Sequence, residues 1–292
     1  MTEMTVVWQP PTGSPLNLSG ADNYQIVLPD DGWYMPPTSL ILDYYETHAM
    51  VSRVRLEPRI LDLPIYIDTQ TQAGFVAAVQ TLINAFNSVK GLEGTLQVTR
   101  QDGAVRHIKG IYFTGLEGSR SQDTYNTLWM EMPLAIKCLD PAWYDPTAKV
   151  FIYTTAAPTN FFPFFPLVLS AGNVFGNTIV TNGGSLDAWP VWEVKGPGTN
   201  PLFENLATGK KLQFTTVLQV GETLVIDTRP GKKSAVVGSL NKFPDISVDS
   251  SLWPLTFNDD GSPKDQTVSI TMSNTDSNSE VKLTFNERYL SL

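Results

Sequence analysis

The sequence predicts a mostly β protein of two domains with a single amphipathic helix. At 292 residues the chain is long for one compact core. Short apolar runs of alternating pattern, separated by Gly, Pro, Asn and Asp, fill most of it, which is typical of strands and turns. We therefore expect an α+β domain at residues 1–150, a linker or arm at 151–172, and an antiparallel β-sandwich at 173–292.

Alternating apolar residues predict the first clear strand, at residues 58–68. Leu61, Leu63, Ile65 and Ile67 fall on one side of this run. Pro64 lacks a backbone donor, so the strand should lie at a sheet edge or carry a bulge.

The next segment, residues 69–91, has the spacing of one helix face. The apolar positions are Phe75, Val79, Leu82, Ile83 and Phe86. Thr69 or Thr71 is the expected N-cap, and Lys90 followed by Gly91 is the expected end.

Two further patterns complete the first domain. Asp102-Gly103, between two extended runs, predicts a β-hairpin. Alternation then predicts one long strand over residues 128–138, with Leu128, Met130, Met132, Leu134, Ile136 and Cys138 on its buried face. Cys138, the single cysteine, is therefore interpreted as a small core residue, and no internal disulfide can form.

Beyond residue 172 the sequence predicts short strands at 188–195, 211–219, 222–228, 233–239, 267–273 and 280–290. The stretch 181–205 is interpreted as a strand, WPVWEV, followed by a rigid turn, KGPGTNP. In that turn the glycines are expected to permit positive φ. Trp189 and Trp192 are three residues apart, so on a strand they point to opposite faces and one of them should lie away from the main core.

The aromatic run FFPFF lies between the two predicted domains. Its residues are Phe161, Phe162, Phe164 and Phe165. They either pack the seam between the domains, which is the commoner arrangement, or form an arm that docks on a neighbouring subunit.

Composition narrows the function classes. Hydrophobic residues make up 42% and charged residues 17%, with a net charge of −9. Phosphate backbones are bound by clustered Lys and Arg, so direct nucleic-acid binding is disfavoured, and the basic residues near 210 and 229–233 are interpreted as solvated turn charges. No secretory signal is visible, and the apolar run 161–169 is too short to span a bilayer, so we expect synthesis in the cytoplasm and no membrane partner.

Catalytic patterns are sparse. The two histidines are His48 and His107, and His48 beside Glu46 is more typical of a surface hydrogen bond than of a dyad. Asp259, Asp260 and Asp265 are interpreted as a polar hairpin tip rather than a calcium loop, because EF-hand spacing is absent. We expect no cofactor, no metal and no enzyme activity, and interpret the protein as structural or binding.

An ordered series of short motifs carries a resemblance to a known family. NGGSLDAWPVWEVKGPGTNPLFEN, then VGETLVIDT and SSLWPLTFNDD, resembles the C-terminal half of distal tail proteins of long-tailed bacteriophages. RILDLPIYID, the helix, GTLQVTRQDGAVRHIKGIYFTGLEG and LWMEMPLAIKCLDPAWYD are similar in order to the family's N-terminal domain. The resemblance runs from about residue 50 to 292. The motif positions are Gly184, Trp189, Pro190, Gly196, Pro197, Asn200, Pro201, Gly221 and Asp227.

This resemblance implies both a fold and a function. The implied fold is an N-terminal split β-barrel with one crossover helix and a C-terminal galectin-like sandwich. The implied function is a six-membered ring at the distal end of the tail, in the virion, with a central channel through which DNA passes. Its implied partners are the tail tube protein, the tail-tip hub or tail-associated protein, and receptor-binding proteins.

Two other function classes stay in competition. The alternative is a carbohydrate-binding, receptor-recognition protein of the tail tip, which would expose an aromatic such as Trp189 or Trp192 on one sandwich face. A hydrolase of the cell wall has little support, because no carboxylate can be nominated for it.

Overall fold

A computed structural model describes residues 4–87, 89–118, 126–154, 159–160, 168–169 and 174–292. The chain divides into two compact units. The first comprises Met1–Pro146 and Tyr289–Leu292, and the second comprises Thr147–Arg288. The second unit is thus an insertion in the first, since the chain returns to the first unit for its last four residues.

The first unit contains one α-helix and twelve strands among its described residues before Pro146. Their bounds are β1 Thr5–Gln9, β2 Leu16–Asn17, β3 Tyr24–Ile26, β4 Thr38–Tyr44, β5 Ala49–Leu56, β6 Arg59–Asp62, β7 Ile65–Asp68, α1 Gln72–Ala85, β8 Gly94–Thr99, β9 Val105–Thr114, β10 Trp129–Met132, β11 Ala135–Cys138 and β12 Trp143–Tyr144.

Strands also dominate the rest of the chain, with one short 3-10 helix at Phe243–Asp245. The strands are β13 Lys149–Thr154, β14 Thr159–Asn160, β15 Val168–Leu169, β16 Val174–Asn182, β17 Val191–Lys195, β18 Gly198–Asn205, β19 Lys210–Gln213, β20 Val217–Leu218, β21 Thr223–Asp227, β22 Ser234–Val237, β23 Leu240–Asn241, β24 Lys264–Ser273, β25 Glu280–Phe285 and β26 Arg288–Tyr289. The predicted mostly β fold class is therefore confirmed.

Three sheets form the first unit. One has the order β2-β1-β8-β9-β11-β6, with β12 pairing β9 and β26, and a second has the order β10-β7-β3. The third is the hairpin β4-β5, which pairs with no other described strand. The hairpin predicted at Asp102-Gly103 is confirmed, because β8 and β9 pair antiparallel around it and Gly103 has φ +83.

The long strand predicted over residues 128–138 is wrong in one respect. It breaks at Pro133 into β10, which pairs β7, and β11, which pairs β6. The partner strands break at the facing position, Pro64, and Leu63 N donates to Leu134 O at 2.7 Å across the two breaks. The two prolines, which cannot donate to a ladder, thus mark where both strands pass from one sheet to the other. The even positions from Met130 to Cys138 are buried as predicted, but Leu128 is 38% exposed and Ala135, at an odd position, is also buried.

The helix is confirmed, but its predicted end is not. Thr71 Oγ1 accepts from Gly74 N, so Thr71 is the N-cap. The helix ends at Ala85 rather than near Lys90, since Phe86 leaves the helix to stack on Trp8 with ring centroids 4.6 Å apart. Trp8 Nε1 donates to Ala85 O, which fixes the last turn against β1.

A buried arginine holds the chain's last residues to the first unit. Arg59 is 1% exposed, and its guanidinium donates to the carbonyls of Gly32, Trp33 and Leu290. Burial lowers the pKa of the Arg59 guanidinium below its usual range. Leu292 N also donates to Trp33 O, so two contacts attach the C-terminus to the same backbone segment.

The second unit is built on two antiparallel sheets with one hydrophobic core. The sheet orders are β13-β25-β17-β21-β22-β23 and β16-β24-β18-β19, with β20 also pairing β18. The core side chains come from both sheets, for example Trp192, Leu283, Phe203 and Ile270.

Several strands of this unit lie outside the predicted set, among them β13, β16 and β18. β16 was not predicted, and β18 begins at Gly198, inside the predicted turn. The ladder continues through Asn200 and Pro201 because the pairing with β24 shifts register between Thr199 and Leu202, where Asn200 takes φ +52. This is a β-bulge, which accepts the residues that otherwise indicate a turn.

Candidate assembly surface and the C-terminal motif

The motif glycines provide room for close backbone approach. A Cβ on Gly184 would overlap the carbonyl oxygen of Arg288, and a Cβ on Gly196 would overlap that of Gln219. A Cβ on Gly198 would meet the side chain of Met272. The expectation of positive φ at Gly196 and Gly198 is wrong, because in this segment the positive φ belongs to Asn200. Gly221, with φ +84 and open space around it, is a turn glycine.

Substituting Gly196 with alanine should destabilise the second unit by about 3 kcal/mol, because the new methyl meets fixed backbone. Gly198→Ala is the matched control and should cost about 1 kcal/mol, because the flexible Met272 thioether can move aside. Urea unfolding of both variants measures the difference. Equal losses would show that backbone approach at Gly196 is not the constraint.

The motif prolines act through their carbonyl groups. Pro190 O accepts from the backbone N–H and the hydroxyl of Thr228, at 3.3 and 2.6 Å. Pro197 O accepts from Ser279 Oγ at 2.6 Å, and Pro201 O accepts from Phe214 N at 3.0 Å. Each bond ties the segment to a different strand or loop of the unit.

The motif tryptophans have different environments. Trp192 is 1% exposed and contacts Phe203, with centroids 4.6 Å apart, and Trp253, edge-on at 5.7 Å. Trp189, just before β17, is half-buried. Trp192 therefore belongs to the core and offers no surface to a ligand.

Asp227 at the end of β21 accepts side-chain hydrogen bonds from Arg229, from Nε to Oδ1 at 2.9 Å and to Oδ2 at 3.1 Å, and from Nη2 to Oδ2 at 2.6 Å. Burial opposes ionisation of Asp227, but the hydrogen bonds from Arg229 outweigh it and hold the pKa of the carboxyl below its usual range. The pair closes the turn after β21 and leaves no reactive carboxyl there.

Three buried amide side chains, of which only Asn182 belongs to the Asn-Gly-Gly run of the sequence motif, connect the motif to residues 255–256. Asn182 Nδ2 donates to the carbonyls of Leu255 and Thr256, and its Oδ1 accepts from Gly184 N. Gln266 Oε1 accepts from Asn205 Nδ2 and from Thr256 N. All three amides are at most 1% exposed, so every bond replaces one to water. Nothing in the sequence around Asn205 or Gln266 indicates that these two amides are buried.

The candidate reactive groups do not assemble into a site. Burial raises the pKa of Cys138 to about 12, which suits a core thiol. His48 is exposed and stacks on Tyr45 at 5.2 Å. Asp260 accepts from Ser262, while Asp265 accepts from Thr181. Within the described residues no group of three His, Cys, Asp or Glu side chains could hold a metal ion.

The aromatic residues Phe161, Phe162, Phe164 and Phe165 lie outside the described residues. No described helix is long and apolar enough to cross a membrane.

The hairpin β4-β5 exposes many large apolar side chains. Seven of its large side chains are 48% to 79% exposed: Leu40, Ile41, Tyr44, Tyr45, Met50, Val51 and Val54. Leu40 pairs with Val54 on one face, and Ile41 pairs with Arg53 on the other. Both faces are therefore partly apolar. In the sequence, apolar runs flank the segment ETHA, but their apolar residues do not alternate regularly with polar ones, so the pattern of a half-buried strand is absent.

The fold is similar to those of known phage tail proteins. Residues 183–289 match the family model SPP1_Dit, siphovirus-type tail component, C-terminal domain. The structure is similar to that of the SPP1 Dit protein, described as a paradigm of hub adsorption apparatus in phages that infect Gram-positive bacteria. The match covers 98% of this chain and 99% of the SPP1 Dit chain, with 13% sequence identity and a TM-score of 0.67. A chain of the phage P2 baseplate in its activated conformation with Ca is also similar, at 10% identity and a TM-score of 0.53, over 97% of this chain and 98% of that chain. No curated protein sequence matches.

At these identities the structural likenesses show the fold. Together with the family match over residues 183–289, they confirm the predicted resemblance to distal tail proteins. The family match covers the nine motif positions from Gly184 to Asp227, whereas the N-terminal segments of the resemblance lie outside it.

Proposed function

We propose that this protein is a structural component of a phage virion, which forms a ring of six copies at the distal end of a long flexible tail. The ring joins the tail tube protein to the tail-tip hub and baseplate, carries receptor-binding proteins, and leaves a channel for DNA. The protein is made in the host cytoplasm and has no catalytic role. The family match and the likeness to SPP1 Dit support this proposal.

The exposed apolar side chains of the hairpin β4-β5 are the main observation in support of the proposed ring. A two-stranded sheet is marginally stable alone in water, and this one exposes apolar side chains on both faces. Burying one such side chain fully is worth about 1.5–3 kcal/mol. A second copy that covers the hairpin would stabilise it, and repetition of a contact between two different surfaces forms a ring where the rotation between copies closes.

The charge balance suits the proposed channel. The chain carries a net charge of −9. A channel lined with negative charge offers no Lys or Arg to replace the counterions of the DNA phosphates, so the DNA passes without binding.

The carbohydrate-binding alternative gains no specific observation. Among the described residues of the second unit, Trp192 is buried, Trp189 is half-buried, and Phe243 is 39% exposed. A flat sugar-stacking platform needs a more exposed ring than these provide.

Hairpin variants test the ring directly. Leu40→Thr with Val54→Thr places β-branched threonine, which suits a strand, at both positions but removes apolar contact, so the mass in solution should fall from six copies to one while the melting temperature changes little. Val220→Thr with Val248→Thr is the matched control, because both valines are at least 69% exposed in the second unit. Light scattering on a size-exclusion column measures the mass. A hairpin variant that keeps the mass of the unmodified protein would contradict the proposed role of the hairpin.

A further inference from the structure

The outer face of the sheet β10-β7-β3 carries an aromatic pair between two carboxylates. Tyr66 and Trp129 lie diagonally across β7 and β10, with ring centroids 5.8 Å apart and an interplanar angle of 34°. Asp68 lies opposite Trp129, and Glu131 lies opposite Tyr66. We call these four residues the acidic aromatic patch.

This patch faces away from the core of the first unit. The alternate residues of the same strands, Ile65, Ile67, Met130 and Met132, are at most 5% exposed. The patch residues are half-buried, except Asp68, which is exposed. The strand β10 is also at the end of its sheet order, so one of its edges pairs with no described strand.

The charges of the patch are not balanced within the described part of the chain. Neither Asp68 nor Glu131 forms an ion pair with a described residue. Two carboxylates beside two aromatic rings are the groups that bind a guanidinium ion, the rings through their faces and the carboxylates through charge-assisted hydrogen bonds.

One face of the hairpin β4-β5 has the complementary chemistry. Arg53 and Arg55 alternate with Val54 on β5, so both arginines lie on the face that carries Ile41. Both are exposed. Arg55 lies 3.6 Å from Glu57, while Arg53 forms no ion pair with a described residue. We call this the arginine face.

We propose that the acidic aromatic patch of one copy is the docking surface for the arginine face of the neighbouring copy's hairpin. Arg53 and Arg55 stack on Trp129 and Tyr66 and pair with Asp68 and Glu131. The two surfaces lie on different parts of the same chain, so each copy donates a hairpin and receives one, which is the arrangement that closes a ring. This inference rests on the proposed function, which supplies the second copy.

Reciprocal charge reversal tests the contact. Arg53→Glu and Glu131→Arg each place like charges together, so each variant should raise the concentration at which the ring dissociates by about tenfold or more. The double variant Arg53→Glu with Glu131→Arg restores opposite charges across every copy-to-copy contact and should recover most of that loss. The matched controls are Lys232→Glu and Asp249→Arg, at exposed positions of the second unit, and neither should change the dissociation. Circular dichroism checks that each variant is folded.

The outcomes separate this inference from the proposed function. A double variant that recovers the ring supports the docking surface. If the unmodified protein forms a ring but the single reversals leave it intact, or the double variant fails to recover it, the docking surface is wrong and the ring stands. An unmodified protein that stays monomeric, alone and in the presence of the tail tube protein, contradicts both.

Discussion

Replacing Arg59 with alanine is expected to destabilise the first unit by about 3–5 kcal/mol. The side chain donates to three backbone carbonyls, Gly32, Trp33 and Leu290, and an unsatisfied buried acceptor costs about 1–3 kcal/mol. The substitution also leaves a cavity beneath Trp143, whose ring centroid lies 5.8 Å from the guanidinium carbon. Urea unfolding measures the loss.

Two comparisons identify its cause. Arg100→Ala, which breaks an exposed ion pair with Asp102, should cost less than about 1 kcal/mol. Deletion of residues 290–292 removes one acceptor of Arg59, so its effect and that of Arg59→Ala should be less than additive when combined. Additive losses would show that Arg59 does not hold the C-terminus.

Trp192→Ala should destabilise the second unit by a similar amount, about 3–5 kcal/mol, because it empties the centre of that core. The ring contacts Phe203 and Trp253, and its strand is paired on both sides, at Ile226 and Leu283. Trp189→Ala is the control, and its half-buried side chain should cost less than half as much.

Hydrogen exchange read by mass spectrometry locates the effect of Trp192→Ala. Loss of protection should be confined to residues 147–288, since these form a unit with its own core. Equal losses for Trp189 and Trp192 would contradict the different environments of the two rings.

The sequence predicted burial better than it predicted pairing. The predicted core positions Met130, Met132, Leu134, Ile136 and Cys138 are all buried, although the strand breaks at Pro133. Alternation reports which side chains face a core, and it continues when a strand passes between two sheets around the same core. Only the backbone hydrogen bonds reveal the break.

Residues with strong turn preferences caused the second kind of error. Gly198, Asn200 and Pro201 lie within β18, because a bulge takes up the positive φ of Asn200. The bulge depends on the pairing with β24, some 70 residues further along the chain, and local propensity does not contain that information.

The hairpin β4-β5 and the acidic aromatic patch were not predicted at all. From the sequence, Trp129 was only an unassigned position between the predicted core residues Leu128 and Met130. Its ring contact with Tyr66 arises from the register of β10 against β7. The hairpin has no single polar face because, in our account, a second copy covers it. A hairpin that is covered on both faces does not show the alternation of apolar and polar residues by which a half-buried strand is predicted from sequence.

The mass of the unmodified protein in solution tests the proposed ring most directly. Native mass spectrometry of the purified chain, with the concentration varied, would measure it. Our account predicts a species of six times the 32.2 kDa chain mass. A monomer at every concentration, alone and in the presence of the tail tube protein, would contradict it.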